Sequence, residues 1–196
     1  ANLLGEVAVL AGARLGTMRA LALAQRQATL DPLTGLLNRR TLEDRVRLMA
    51  ATERPFAVAM LDLDRFKALN DTYGHDQGDR ALKLFSGLLR QKLRPDDIAS
   101  RYGGEEFLLV FPDLDAEAAL AALMQLRAEL AVAVSRTGVG FTFSGGVTDS
   151  GASNDWETLV RIADAALLGC KRAGRDRIQI GDPGHLERRE PPAAAS

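Results

Sequence analysis

"SRYGGEEFLLVF", residues Ser100–Phe111, carries the reading that decides the fold. Two glycines, Gly103 and Gly104, join two strand-like segments, and the adjacent acids Glu105 and Glu106 lead straight into an apolar run. A glycine pair between such segments predicts a tight hairpin, because glycine adopts the positive φ that hairpin turns require. Taken alone, the acids read as solvated groups beside a turn. A hairpin in mid-chain also forces antiparallel pairing there, so a doubly wound parallel sheet is not expected.

Outward from the hairpin, helix and strand signals alternate between Asp31 and Ile180. Upstream, Thr41–Ala51 is a helix candidate and Phe56–Leu63 ("FAVAMLDL") reads as a buried strand. Asp76–Leu93 then places Ala81, Leu82, Phe85, Leu88 and Leu89 on one helical face. Downstream come an Ala-rich helix over Ala116–Val134, a strand over Val139–Val147, a helix with an apolar face from Trp156 to Cys170, and a closing strand "RIQI". The order α-β-α-β-β-α-β-α-β predicts an α/β sandwich with a central, mostly antiparallel sheet flanked by helices.

The ends read differently. Residues 1–30 predict one long helix, with Leu4, Ala8, Ala11, Leu15, Met18 and Ala22 at alternating spacings of four and three, the stripe of a helix-pairing seam. Residues 181–196 hold three prolines and no apolar period, which predicts a disordered tail. The sequence opens on Ala1 rather than Met, as a fragment of a longer protein would.

Of the 196 residues, 46% are hydrophobic and 26% charged, which places the chain among globular proteins long enough to bury a core. A formal net charge of -1 gives no support to a nucleic-acid polymer as partner. The single cysteine, Cys170, excludes an intramolecular disulfide and fits a reducing, cytoplasmic compartment. Arg14 and Arg19 interrupt the most apolar N-terminal stretch, so neither a membrane span nor a signal peptide is expected there.

Chemistry enters with the carboxylates. Asp62 and Asp64 stand at the carboxyl end of the Phe56–Leu63 strand, where α/β sheets gather their ligands. With Glu105 and Glu106 on a hairpin able to lie beside that strand, two or three carboxylates converge, and they repel one another unless a cation sits among them. An all-oxygen donor set favours Mg²⁺ or Mn²⁺ over Zn²⁺. Mg²⁺ is usually held by one or two carboxylates plus substrate phosphates, so a nucleoside triphosphate is the natural guest. Neither GxxxxGK[ST] nor GxGxxG occurs, so P-loop and Rossmann chemistry do not apply. Lys171 and Arg175, one helical turn apart, either neutralise phosphates or form a solvated basic helix end.

Four blocks in register resemble the GGDEF family of diguanylate cyclases: "DPLTGLLNRR" (Asp31–Arg40), "DLDRFKALNDTYGHDQGD" (Asp62–Asp79), "RYGGEEF" (Arg101–Phe107) and "KRAGRDR" (Lys171–Arg177). The resemblance implies a palm-like sandwich related to adenylyl cyclases and polymerase palms. It implies a metal-dependent homodimer that condenses two GTP into cyclic di-GMP and two pyrophosphates. By the same resemblance, Asp62, Glu105 and the Leu63 carbonyl hold the metal, and Glu106 helps hold it or prepares the attacking hydroxyl. Glu105 and Glu106 are then the catalytic acids. Asn70 and Asp79 match guanine-reading positions, and Lys67, Lys171 and Arg175 match phosphate contacts. Phe66, Gly103, Gly104 and the backbone near Arg65 are expected to cradle the nucleotide.

Arg94 and Asp97 form an RxxD motif ending six positions before Gly103, the placement of the family's product-inhibition site, aided there by Arg101. The spacing alone also describes an exposed loop ion pair. The chain departs from the family's usual residues at Gly145, Leu168, Cys170 and Asp176, none of them an implied metal or guanine contact. The N-terminal segment resembles the last helix of a GAF-type sensor, with a PAS or receiver domain as the alternatives. Two other readings of the catalytic region stand beside the cyclase: a receptor that binds GTP or cyclic di-GMP without turnover, and a structural dimerisation module.

Overall fold

The computed structural model describes residues 29–50, 54–137 and 140–184. The expected pairing helix up to residue 28 and the expected tail from residue 185 lie outside them. The chain order is β1 (Leu37–Asn38), α1 (Arg39–Ala50), β2 (Phe56–Leu63), α2 (Phe66–Tyr73), α3 (His75–Lys92), β3 (Ile98–Arg101), β4 (Glu106–Pro112), α4 (Ala116–Ser135), β5 (Phe143–Asp149), α5 (Trp156–Arg172) and β6 (Ile178–Ile180). The six strands form one sheet in the order β1-β3-β4-β2-β5-β6. Its three inner pairings are antiparallel. The two outer pairings, β1 with β3 and β5 with β6, are parallel. The expected sandwich with an antiparallel centre is therefore the observed one.

All eight residues of β2 are buried because both of its faces are covered. Ala57, Ala59, Leu61 and Leu63 pack with the layer that includes Phe85 of α3 and Leu123 of α4. Val58 and Met60 face the other way, against Leu42 of α1 and Leu167 of α5. The Phe85 ring meets Phe107 edge-on at 4.9 Å between centroids and leans on Phe143 at 5.1 Å, which locks α3 across β4 and β5. Helix α4 is long and apolar enough to span a membrane by length and composition. Here Ala119, Leu123, Leu126 and Leu130 turn into the core instead.

The seating of α5 depends on Gly146 of β5. A Cβ there would run into the Ala163 carbonyl and the Leu167 backbone nitrogen of α5, and backbone cannot step aside as a flexible side chain can. Gly146→Ala is expected to cost about 1–3 kcal/mol or more through overpacking, read as a lowered urea midpoint at unchanged slope.

Besides two-residue β1, which the sequence reading did not include, three features differ from it. Helix α2 was not expected, since eight residues with only Leu69 buried give almost no periodic signal. It is set off from α3 by Gly74, whose φ of 84° lies where glycine is favoured. The strand expected over Val139–Val147 starts later, at Phe143, and runs to Asp149. The third is the hairpin itself. Residues 102–105 make a four-residue connection, and neither Gly103 nor Gly104 has a left-handed φ. Tyr102 and Gly103 N–H both donate to the Glu106 carbonyl, at 2.8 and 3.2 Å. Gly103 lies close under the Glu106 carboxylate, and a Cβ there would oblige that side chain to swing away.

Candidate active site

Strands β2 and β4 are neighbours, and Asp62 lies directly opposite Glu106. Side chains of such a pair share one face of the sheet, here the face towards α1 and α5. From the last turn of α5, Lys171 reaches Asp62 with Nζ 2.7 Å from Oδ2. The Leu63 N–H donates to the Glu105 carbonyl at 3.2 Å, which ties Glu105 to the end of β2. Asp62, Leu63, Glu105, Glu106 and Lys171 thus gather at one edge.

Electrostatics there are unfavourable to the acids. Burial pushes the Asp62 carboxyl above its ordinary value; the Lys171 hydrogen bond and charge oppose this, and the Glu106 and Asp64 charges add to it. Glu105 is also raised, by burial first and then by the Asp62 charge. An acid with a higher pKa folded than unfolded binds its proton more tightly when folded, so stability is lost as pH rises from the unfolded value through the raised one. Asp31, Asp113 and Asp155 are lowered and act in the opposite sense, so the test is a comparison: metal-free Glu105→Gln is expected to gain on the parent in melting temperature as pH climbs out of the carboxylate range. Mg²⁺ should narrow that gap at neutral pH by stabilising the parent. A gap that does not change across the range would contradict the crowding of these acids.

The donor chemistry fits a hard divalent cation. Among the described residues no three His, Cys, Asp or Glu side chains cluster closely enough to cage an ion alone. That agrees with a site that takes one or two carboxylates, a backbone carbonyl and ligand phosphates.

Arg101 clamps the Gly-Gly connection. Its Nε and Nη2 donate to the Gly104 carbonyl at 3.0 and 2.7 Å, and its Nη1 reaches Asp31 Oδ2 at 3.2 Å. The Arg39 guanidinium lies 4.3 Å above the Tyr102 ring on the same connection. Arg94 and Asp97 sit at the opposite end of β3. Three strand residues, a run of roughly 13 Å from Asp97 to Arg101, lie between them, so the structure brings Arg94 and Asp97 together and places Arg101 at the Gly-Gly connection. Arg94 and Asp97 themselves are joined, with the Arg94 N–H, Nε and Nη2 donating to the Asp97 carboxylate at 2.8, 3.0 and 2.6 Å. Arg94 Nη2 also donates to the Pro112 carbonyl at 3.0 Å. A cavity of about 220 Å³ lined by Leu93, Phe111, Leu114 and Leu126 opens beside the pair.

On α2 and α3, Asn70 abuts Gly78, where a Cβ would overlap its side-chain oxygen and press on Phe66. That oxygen, Oδ1, is buried with no hydrogen-bond partner among the described residues. Asp79 follows Gly78 and is exposed. Lys67 is exposed on the first turn of α2, next to Arg65, which starts the helix from a left-handed φ of 55°.

Sequence reasoning assigned no role to Asp64. Its buried carboxylate accepts from Thr142 Oγ1 at 2.6 Å, Ser144 Oγ at 2.7 Å and the Asp176 N–H at 3.0 Å. The signal was present in "FTFS": hydroxyls alternating with phenylalanines in a buried strand require a polar partner opposite.

These features define a palm-like α/β sandwich with acids from two adjacent central strands meeting at one edge and a lysine closing over them. The chain belongs to the GGDEF-domain diguanylate cyclase family, whose sequence profile residues 28–177 match. It is 40% identical over 164 residues to the diguanylate cyclase DgcP of Pseudomonas aeruginosa, covering 80% of this chain and 24% of that protein. It is 34% identical over 173 residues to the probable diguanylate cyclase DgcT of Escherichia coli, covering 83% and 38%. The chain therefore spans well under half the length of these curated relatives. Among solved structures, the diguanylate cyclase SiaD of Pseudomonas aeruginosa, in complex with its activator SiaC, is 39% identical with a TM-score of 0.73, covering 91% of this chain and 72% of that one. The coiled coil and GGDEF domain of DgcB from Caulobacter crescentus, in complex with c-di-GMP, is 29% identical with a TM-score of 0.71, covering 92% and 100%.

Proposed function

We propose that the chain is the catalytic part of a diguanylate cyclase that joins two GTP into cyclic di-GMP and two pyrophosphates, acting in the cytoplasm with Mg²⁺ or Mn²⁺. The observation that carries this reading is the pairing of Asp62 with Glu106 at the ends of β2 and β4, with the Glu105 main chain tied to Leu63 and Lys171 on Asp62. A bound divalent cation supplies charge neutralisation for the triphosphate. Asp62, Glu105 and the Leu63 carbonyl hold it. Lys67, Lys171 and Arg175 bind phosphate oxygens, and Glu106 accepts hydrogen-bond donation from the attacking 3′-hydroxyl. The orphaned Asn70 oxygen and the Asp79 carboxylate supply acceptors for the donors on the guanine edge; adenine offers no such pair.

One site holds one GTP, so closing a two-nucleotide ring takes two copies face to face. The rate per chain is expected to rise with protein concentration until the dimer saturates. A monomer with concentration-independent turnover would contradict this.

Calorimetric titration with GTP and with cyclic di-GMP, run beside a turnover assay, tests the function. The cyclase reading expects GTP to bind and be consumed. Binding without turnover would identify a receptor, and no binding at all a structural module.

A further inference from the structure

We propose that Arg127 of α4, acting through Asp176, is a positioning residue for Arg175, an inference that rests on the phosphate-binding reading of Arg175 given above. Past the end of α5 the chain makes a turn from Gly174 to Arg177. Gly174, Arg175 and Asp176 all have left-handed φ values, 112°, 66° and 48°. Two consecutive non-glycine residues in that region do not hold it unaided; their surroundings must impose it.

Packing does not supply the constraint. A cleft of about 890 Å³ lies behind the turn, lined by Arg65, Arg127, Phe141, Arg175 and Asp176 among others, so the turn has open space at its back. Polar anchors hold it: the Gly145 N–H of β5 donates to the Arg177 carbonyl at 2.9 Å, Arg177 Nε donates to the Arg175 carbonyl at 3.0 Å, and three more attach the turn to α5, Asp64 and α4. The Arg175 N–H donates to the Cys170 carbonyl at 3.0 Å, continuing the end of α5. The Asp176 N–H donates to the buried Asp64 carboxylate at 3.0 Å. The Asp176 side chain accepts two parallel bonds from Arg127, Nε to Oδ1 and Nη2 to Oδ2, each 2.6 Å. The main-chain anchors tie the turn to α5, Asp64 and β5. Among the described residues, the anchor that comes from α4 is the Arg127 fork, whose residue also lines the cleft.

This gives a physical reason for a carboxylate at position 176. A carboxylate takes both arms of the Arg127 fork, and an amide takes one. The pair is half exposed, 34% for Arg127 and 41% for Asp176, so it adds little to overall stability. Its effect falls on where the Arg175 guanidinium points, and a small displacement of a phosphate-binding group is felt in ligand affinity before it is felt in folding.

Arg127→Ala is expected to raise KM for GTP about 5–10-fold with kcat changed less than about twofold, and to weaken binding of inorganic pyrophosphate in Mg²⁺ by a similar factor, since ground-state phosphate binding is what is lost. Asp176→Ala should do the same, and the double variant should be no worse than either single, because the two act as one unit. Arg127→Lys, a point charge without the fork, and Asp176→Asn, which takes one arm of it, should each recover only part of the affinity. Parent-like KM and pyrophosphate affinity in Arg127→Ala, in a protein that makes cyclic di-GMP, would overturn this inference alone. Additive losses in the double variant would likewise overturn it. A parent protein that neither binds GTP nor consumes it would overturn the function reading and this inference together.

Discussion

Glu105→Gln is expected to lower the rate of cyclic di-GMP formation by about 10²-fold or more while leaving the protein folded. The substitution keeps the side chain's size and removes one charge from a group of acids whose mutual repulsion and burial already push Glu105 up. The main-chain bond from the Leu63 N–H to the residue 105 carbonyl does not depend on the side chain, so the Gly-Gly connection stays in place. Relief of repulsion from Asp62 and Glu106 should leave the metal-free variant at least as stable as the parent at neutral pH. Loss of turnover with equal or higher melting temperature is the pattern of a charge kept for function. Unchanged turnover would contradict the metal assignment.

On the proposal that Arg94 and Asp97 form a product-binding site separate from the acids, Arg94→Ala is expected to raise the inhibitory constant for cyclic di-GMP by about tenfold or more, with initial rates close to the parent's, because coupling between separate sites is typically worth about 1–3 kcal/mol. Arg94 and Asp97 lie at the far end of β3 from the acids, too distant to touch nucleotide at Glu105. Asp97 keeps the main-chain N–H of residue 94 as a donor in the variant, so its carboxylate is not stranded. The variant does lose the link from Arg94 to the Pro112 carbonyl, so its melting temperature should be followed in parallel. Initial rates against added product at two GTP concentrations decide the matter. Inhibition as strong as the parent's, or inhibition that high GTP abolishes, would place the product at the active site.

Much of this arrangement was legible in the sequence, for reasons that can be named. Buried β2 announced itself as an unbroken apolar run, and α3 and α5 as apolar faces at helical spacing, because those patterns are what burial on a sheet demands. The hairpin was legible from Gly103 and Gly104, although the close packing at Gly103 was not. A turn type constrains φ locally, whereas the close approach of the Glu106 carboxylate to Gly103 depends on pairing between strands. Helix α2 was hidden because it contributes one buried side chain and takes its position from left-handed Arg65 and Gly74 rather than from periodicity. Two-residue β1 gives no pattern at all.

The candidate site divides in the same way. Asp62, Glu105 and Glu106 were visible as acids at strand ends, which is local information. The roles of Asp64, Arg127 and Arg101 were not, since each acts on a partner distant in sequence: Asp64 on Thr142 and Asp176, Arg127 on Asp176, Arg101 on Asp31. The resemblance grouped Arg101 with Arg94 and Asp97; its bonds to Gly104 and Asp31 were not legible, because β3 is extended and carries its side chain to the far end of the strand.

The central claim, that the acids at the ends of β2 and β4 turn GTP into cyclic di-GMP, is tested most directly by separating the nucleotides after incubating the protein with GTP, with pyrophosphate measured in the same samples. With Mg²⁺ or Mn²⁺ the account predicts cyclic di-GMP and two pyrophosphates for each one formed, no product in EDTA, and none from ATP. GTP left intact in the presence of Mg²⁺ by a protein that is folded and dimeric, or product formed equally in EDTA, would contradict it.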